Sequence, residues 1–210
     1  MIGDIVGELG IKKVKEVISE IKKTQIIDFV IANGENSADG MGLNAKLFAG
    51  IIEAGVDVVT MGNHTWGKKG VFDIIEHEKI LRPINYPNTV PGRGYGIYEV
   101  KGKKIAVVNV LGRVDMHVLC ENPFLQMDEL LEKLKNKADI IIVDFHAEAT
   151  AEKIGMAFYL DGRVTCLFGT HTHIQTADEE IWENGMAYIT DVRNDGAEEV
   201  CDWDGCRGFD

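Results

Sequence analysis

The chain has 210 residues, of which 45% are hydrophobic and 27% charged, as expected for one folded domain and not for a disordered, collagen-like or coiled-coil protein. Lys plus Arg number 22 and Asp plus Glu 34, so the formal net charge is −12. Because this charge repels nucleic-acid backbones and anionic lipids, we expect no non-specific nucleic-acid binding. A phosphate-bearing substrate would need a locally positive site, which metal ions can supply in an acidic protein.

Cysteine usage and hydropathy exclude further classes. The 4 cysteines include no Cys-x-x-Cys pair and have no zinc-ribbon spacing. No apolar run approaches the roughly 18 residues that a membrane span needs, and the first residues do not resemble a secretory signal. We therefore expect a cytoplasmic protein with no membrane partner.

The predicted elements alternate along the chain. Helix-length segments separate several strands, and in one of them Ile11, Val14, Ile18 and Ile21 share a face. The glycine-rich segment 92–104 predicts a β-hairpin. Together these elements predict an α/β fold with layered sheets and helices. Short apolar runs rich in β-branched residues predict buried strands at 27–32, 56–61, 105–110, 139–145 and 164–168.

Polar residues with metal-binding side chains follow the ends of these strands. Because the carboxyl ends of strands in an open α/β sheet face one crevice, we expect these residues to converge. Taken singly, each could instead be a turn former or a helix cap. They are Asp4, Glu35, Asn36, Asn63, His64, His146, His171 and His173.

Their joint pattern indicates a site for two metal ions. His171 and His173, separated by Thr172, can direct their imidazoles toward different ions, and Glu35 can bridge the two. Two ions about 3.5–4 Å apart clamp the attacking and leaving oxygens of a phosphoryl displacement, and they lower the pKa of a bound water toward about 7. His64 is not needed as a ligand and is positioned for general acid catalysis.

The same residues carry a family resemblance. Asp4 and the strings at 34–36, 62–64 and 169–173, together with His146, resemble the motif series of the calcineurin-like metallophosphoesterases. Longer strings resemble one branch, the bacterial 2′,3′-cyclic-nucleotide 2′-phosphodiesterase family. These strings lie at 2–7, 33–36, 61–66, 144–150, 171–178 and 188–192.

The resemblance implies a fold, a ligand set and a reaction. The fold would be a β-sheet sandwich flanked by helices, with two metal ions per chain, iron or alternatively manganese. The substrate would be a small nucleotide, a nucleoside 2′,3′-cyclic phosphate hydrolysed to the 3′-nucleotide by metal-bound hydroxide, with His64 as proton donor. One ion would be held by Asp4, Glu35, Asn36 and His173, and the other by Glu35, Asn63, His146 and His171.

Other functions stay open at this point. A phosphomonoesterase could use the same dimetal site, because specificity lies in loops that the motifs do not describe. A non-catalytic regulatory or truncated product is the alternative from a different class.

The resemblance also implies departures at both ends. The family has a first strand before Asp4 and further strands after Val192, so we expect residues 1–192 to form a metallophosphoesterase domain lacking those strands. Exposed sheet edges would then favour a homo-oligomer. The polar segment 193–210 departs from the family, and one codon choice for it, read one base later, yields the family's Gly-Met-Thr-Gly and Val-Ile-Gly-Met-Asp strings. We therefore expect a frameshift near Val192, with a divergent terminus as the alternative that the DNA sequence would distinguish.

Overall fold

The computed structural model describes residues 1–192, which form four α-helices and nine strands within that range. The helices are α1 (Gly7–Thr24), α2 (Ala45–Glu53), α3 (Pro123–Leu134) and α4 (Thr150–Leu160), and a short 3-10 helix spans Lys69–Asp73. The strands are β1 (Ile31–Asn33), β2 (Val58–Thr60), β3 (Ile80–Leu81), β4 (Tyr95–Val100), β5 (Lys103–Leu111), β6 (Ile140–His146), β7 (Cys166–Thr170), β8 (Glu180–Ile181) and β9 (Ala187–Ile189).

Capping side chains explain where two of the helices begin. The Asn44 side chain accepts a hydrogen bond of 3.1 Å from the Leu47 amide and caps α2. Asn122 caps α3 in the same way, at 2.9 Å from the Phe124 amide, and Pro123 occupies the first turn, where it costs no hydrogen bond.

The strands form two sheets. The first is parallel, in the order β1-β2-β3, and Ile2 adds a single parallel bridge to Ala32 beside β1. The second has the order β4-β5-β6-β7-β9-β8, with β5, β6, β7 and β9 parallel and the two edge strands antiparallel. The carboxyl ends of the central strands therefore face one side of the molecule.

The two sheets pack face to face between layers of helices. Buried residues of the first sheet, such as Val58 and Leu81, contact Val107 and Phe168 of the second. Helices α1 and α2 cover the outer face of the first sheet, and α3 and α4 cover that of the second. The predicted layered α/β sandwich with flanking helices is confirmed.

The predicted elements differ from the observed ones mainly in their bounds. The strand expected at 27–32 is observed at Ile31–Asn33, so it reaches the polar residues that follow it. The expected hairpin is present as β4 and β5, but it extends to Leu111, because the strand predicted at 105–110 is its second arm. Its turn contains Lys101 and Gly102, both with positive φ.

The described residues bear on one further expectation and leave two others as predictions. Within residues 1–192, no helix is long and apolar enough to cross a membrane. The segment 193–210 lies outside the described residues, so the frameshift near Val192 remains a prediction, as does the homo-oligomer.

Candidate metal centre

The candidate site forms where the strands of both sheets end. Glu35 and Asn36 follow β1, and Asn63 and His64 follow β2, all from the first sheet. The second sheet contributes His146 as the last residue of β6, and His171 and His173 follow β7. Asp4 lies next to β1, because the Ile5 amide donates to the Asn33 carbonyl at 2.9 Å.

Three other predicted ligands surround His146 Nε2. Glu35 Oε1 and Asn63 Oδ1 each lie 2.9 Å from this nitrogen, and His171 Nδ1 lies 3.1 Å from it. Ligand atoms of Glu35, His146 and His171 all fall within 4.8 Å of one another. Together with His146, these residues are the set that the family resemblance assigns to one ion.

The other predicted residues lie beside this cluster. Asp4 Oδ2 accepts a hydrogen bond of 3.1 Å from the His171 amide, and the His64 amide donates to Glu35 Oε2 at 2.8 Å. Asn36 Nδ2 lies 2.9 Å from His173 Nε2, so these two residues contact each other. In the sequence, Asn36 adjoins Glu35, and His173 lies two residues after His171.

Burial sets the charge states in this cluster. Burial raises the pKa of the Asp4 carboxyl, and it raises the pKa of Glu35 to about 7. Burial also lowers the pKa of His146 to about 4 and that of His171 to about 3. Both imidazoles are therefore neutral at pH 7, the form in which a histidine nitrogen can bind a metal ion.

The cluster has the properties of a metal site. Asp4 Oδ1, Glu35 Oε1 and Asn36 Oδ1 are buried without a hydrogen-bond partner, which is costly unless a cation is bound. A Cβ atom at Gly62 would collide with the His146 ring and with Glu35 Oε2, so only glycine leaves room there. The donors are oxygen and imidazole nitrogen, which suit iron, manganese and zinc. These residues fit the metal ions that the family resemblance implies.

The loop that carries two of the histidines has an unusual backbone. His171 has a φ of 102° and His173 a φ of 63°, values that non-glycine residues rarely adopt. Between them, Thr172 donates from its amide and its hydroxyl to Asp191 Oδ2, at 3.3 and 2.8 Å. The same oxygen accepts from Lys153 Nζ at 2.5 Å, in an ion pair with both side chains buried. This buried ion pair therefore holds the loop in place through the contact of Asp191 with Thr172.

Two acidic residues outside the predicted set lie near it, one in contact with His171 and the other located two residues before His146. Glu148 Oε2 lies 3.1 Å from His171 Nε2, on the side opposite the cluster. Asp144 is buried on β6, where burial raises its pKa to about 7. A carboxylate inside a predicted buried strand was a usable signal for Asp144. Glu148 lies in the family string 144–150, but its residue type after a strand does not distinguish it from a turn residue.

Comparison with known proteins identifies the family of the chain. A family model described as "YmdB-like protein" matches residues 1–201. The 2′,3′-cyclic-nucleotide 2′-phosphodiesterase of Bacillus subtilis (strain 168) is 44% identical over 210 residues, which are 100% of this chain and 77% of that protein.

Solved structures agree in fold and sequence. A hypothetical protein from Thermus thermophilus superposes with a TM-score of 0.86 and 44% identity, over 92% of this chain and 75% of that one. A structure described as a novel phosphatase from Mycoplasma pneumoniae has a TM-score of 0.85 and 40% identity, over 91% of this chain and 70% of that one. The chain belongs to the YmdB-like family, and the resemblance to phosphodiesterases and phosphatases that its motifs carry is confirmed.

Proposed function

We propose that this protein is a binuclear metal-dependent phosphodiesterase that converts nucleoside 2′,3′-cyclic phosphates to 3′-nucleotides. The observation that carries the proposal is the buried cluster around His146 Nε2, with its carboxylate and amide oxygens that lack hydrogen-bond partners. The substrate class rests on the 44% identical relative, whose name states that activity.

The ligand sets are those that the family resemblance implies, and the grouping of Glu35, His146 and His171 supports one of them. Asp4, Glu35, Asn36 and His173 would hold one ion, and Glu35, Asn63, His146 and His171 the other, with iron as the first candidate and manganese as the second. When bound, the ions supply an activated water and positive charge beside the phosphate oxygens. The protein's net charge of −12 would otherwise disfavour a phosphate here.

His64 would act as the proton donor. Its amide is held on Glu35 Oε2 at 2.8 Å, which places the start of its side chain at the edge of the cluster. Water adds its oxygen to phosphorus and loses a proton to solvent, the bond from phosphorus to the 2′ oxygen breaks, and that oxygen takes a proton from His64. His64 then regains a proton from solvent. A general acid of this kind contributes about 10²–10⁴-fold to the rate.

The test combines metal analysis with product identification. We expect about two metal ions per purified chain, and chromatography should show 2′,3′-cyclic AMP converted to 3′-AMP and not to 2′-AMP. His64→Ala should lower the turnover about 10²–10⁴-fold while leaving the metal content unchanged. Absence of cyclic-nucleotide hydrolysis by the fully metal-loaded protein would overturn the substrate assignment.

A phosphomonoesterase is the second candidate, because a 40% identical structure is described as a phosphatase. Parallel rates on 2′,3′-cyclic AMP and p-nitrophenyl phosphate separate the two. A higher kcat/KM for the monoester would favour this candidate. A metal-loaded protein inactive on both would instead be a non-catalytic regulatory protein.

A further inference from the structure

A chain of buried polar groups lies directly beneath His146, between the two sheets. Thr170, the last residue of β7, has its hydroxyl 2.8 Å from His146 Nδ1. The same hydroxyl donates to Asp144 Oδ1 at 2.7 Å. On the other oxygen, Asp144 accepts a hydrogen bond from the Thr60 hydroxyl of the first sheet. The side chains of these residues are fully buried.

The direction of these hydrogen bonds determines which nitrogen of His146 carries the proton. A threonine hydroxyl has one hydrogen and two lone pairs. An ionised Asp144 has no hydrogen to donate, so the Thr170 hydrogen goes to its Oδ1, and the Thr170 oxygen can only accept at its contact with His146 Nδ1. The neutral imidazole therefore carries its proton on Nδ1, and its lone pair lies on Nε2.

The one amide near Nδ1 does not reverse this assignment. Asn33 Nδ2 lies 3.3 Å from His146 Nδ1, and as a donor it would require the opposite tautomer. Its two hydrogens have other acceptors, the Met61 carbonyl at 3.2 Å and Asp144 Oδ2 at 3.4 Å. In this tautomer the Nε2 lone pair faces two acceptor oxygens, Glu35 Oε1 and Asn63 Oδ1, each 2.9 Å away, an arrangement that a bound cation stabilises.

We propose that Thr170, with its hydroxyl oriented by Asp144, is a positioning residue that fixes the tautomer of His146 and directs Nε2 toward a metal ion. This inference rests on the metal centre of the proposed function. A histidine ligand commonly donates its second N–H to such a partner, and loss of that partner typically weakens metal binding about 10–100-fold.

Two threonines allow a matched comparison. Thr170→Val removes the hydroxyl between Asp144 and His146 and preserves the shape of the side chain. Thr60→Val removes the other buried hydroxyl on the same carboxylate, whose contacts are Asp144 and the Ala32 carbonyl. Thr170→Ser restores the hydroxyl. Circular dichroism of each full-length variant verifies the fold.

The first readout is the histidine tautomer. Long-range proton–nitrogen spectra of the wild-type chain, ¹⁵N-labelled at histidine and stripped of metal, should show His146 protonated on Nδ1. A proton on Nε2 in the wild type would overturn the proposal without any variant. In Thr170→Val the preference for Nδ1 should be lost, and in Thr60→Val it should persist.

The second readout is Mn²⁺ affinity, measured by titration. We expect Thr170→Val to weaken it about 10–100-fold, with Thr60→Val and Thr170→Ser close to the wild type. Equal affinities for the two valine variants would overturn the positioning role while leaving the metal centre intact. A wild-type chain that binds no metal under any condition would instead contradict the proposed function itself.

Discussion

Glu35 is the residue on which both proposed ion sites depend. One carboxylate oxygen faces His146 Nε2 at 2.9 Å, and the other accepts the His64 amide at 2.8 Å. Burial raises its pKa to about 7, so a fully charged Glu35 needs a neighbouring cation. Its role is therefore electrostatic as well as geometric.

Glu35→Gln keeps the shape of this side chain and removes its charge. We expect the metal content to fall below two ions per chain, and cyclic-nucleotide hydrolysis to fall at least about 10²-fold, because a neutral amide bridges two cations poorly. Plasma mass spectrometry and single-turnover rates measure the two effects. Glu53→Gln, on the exposed side of α2, serves as the control. Full metal content in Glu35→Gln would argue against a bridging role.

Glu148 orients His171 from the opposite side. Its Oε2 lies 3.1 Å from His171 Nε2, while His171 Nδ1 faces His146 Nε2 at 3.1 Å. Since the Glu148 side chain is half exposed, we expect Glu148→Ala to weaken Mn²⁺ binding only about 10-fold, at the low end for such partners. Glu148→Gln should retain most of the affinity, because its amide oxygen still accepts from Nε2. Equal losses in both variants would indicate a charge effect instead of orientation.

At the scale of single residues, the sequence predicted the candidate ligands but not the residues that contact and orient them. Asn63 and His146 could be predicted because each lies at or just after the end of a strand. Thr170 and Glu148 lie in the family strings at 169–173 and 144–150, but nothing in those strings indicates that they contact His146 and His171. Their roles depend on distances that only the folded chain provides.

At the scale of elements, the loop after β7 is held in place by helix α4. Lys153 lies fully buried on a helix face that otherwise packs apolar residues, and it pairs with Asp191 at 2.5 Å. Asp191 in turn binds Thr172 between the two positive-φ histidines. The ion pair thus counteracts a backbone strain of roughly 1–3 kcal/mol per residue.

Removing one partner of the Lys153–Asp191 ion pair should lower the free energy of unfolding. Lys153→Met leaves the Asp191 carboxylate buried and unpaired, so we expect the free energy of unfolding to fall by about 3–5 kcal/mol in urea titrations. Lys23→Met removes the lysine of an exposed pair with Glu20 and should cost less than about 1 kcal/mol.

A double variant separates charge from packing. In Lys153→Met/Asp191→Asn no buried charge is left unpaired, so part of the lost stability should return. If the single variant Lys153→Met proves no more costly than Lys23→Met, the pair does not support the loop.

The predicted elements were correct where burial produces a strong pattern. The central strands of the second sheet are long and apolar, so β5, β6 and β7 could be predicted to within a few residues. Strands β3 and β8 have only two residues each, and the three-residue β9 lacks the longer apolar run that made the equally short β1 and β2 predictable. Their pairing depends on neighbouring strands, which local sequence does not encode.

At the scale of the whole molecule, the site joins the two sheets. Glu35, Asn36 and Asn63 come from the first sheet, whereas His146 and His171 come from the second. The carboxylates and imidazoles lie at one end of the interface between the two sheets. Apolar side chains of both sheets fill the rest of that interface. A metal ion bound here would link the two halves of the sandwich, and unfolding would have to break that link.

Metal binding should therefore stabilise the entire fold. With free Mn²⁺ at about 100 times its dissociation constant, linkage predicts a gain of about 2.7 kcal/mol for one site. For a chain of this size the midpoint of thermal unfolding should rise by roughly 5–10 °C, and a chelator should reverse the shift. Scanning calorimetry with and without metal measures it.

The control for this shift is a chain that lacks one of the ligands between the sheets. In His171→Ala, Mn²⁺ should raise the midpoint by no more than a few degrees, because one ion loses a ligand from the second sheet. Mg²⁺, which binds imidazole weakly, should have little effect on the wild type. An equal shift in His171→Ala would mean that His171 does not hold the stabilising ion and does not link the second sheet to the first through it.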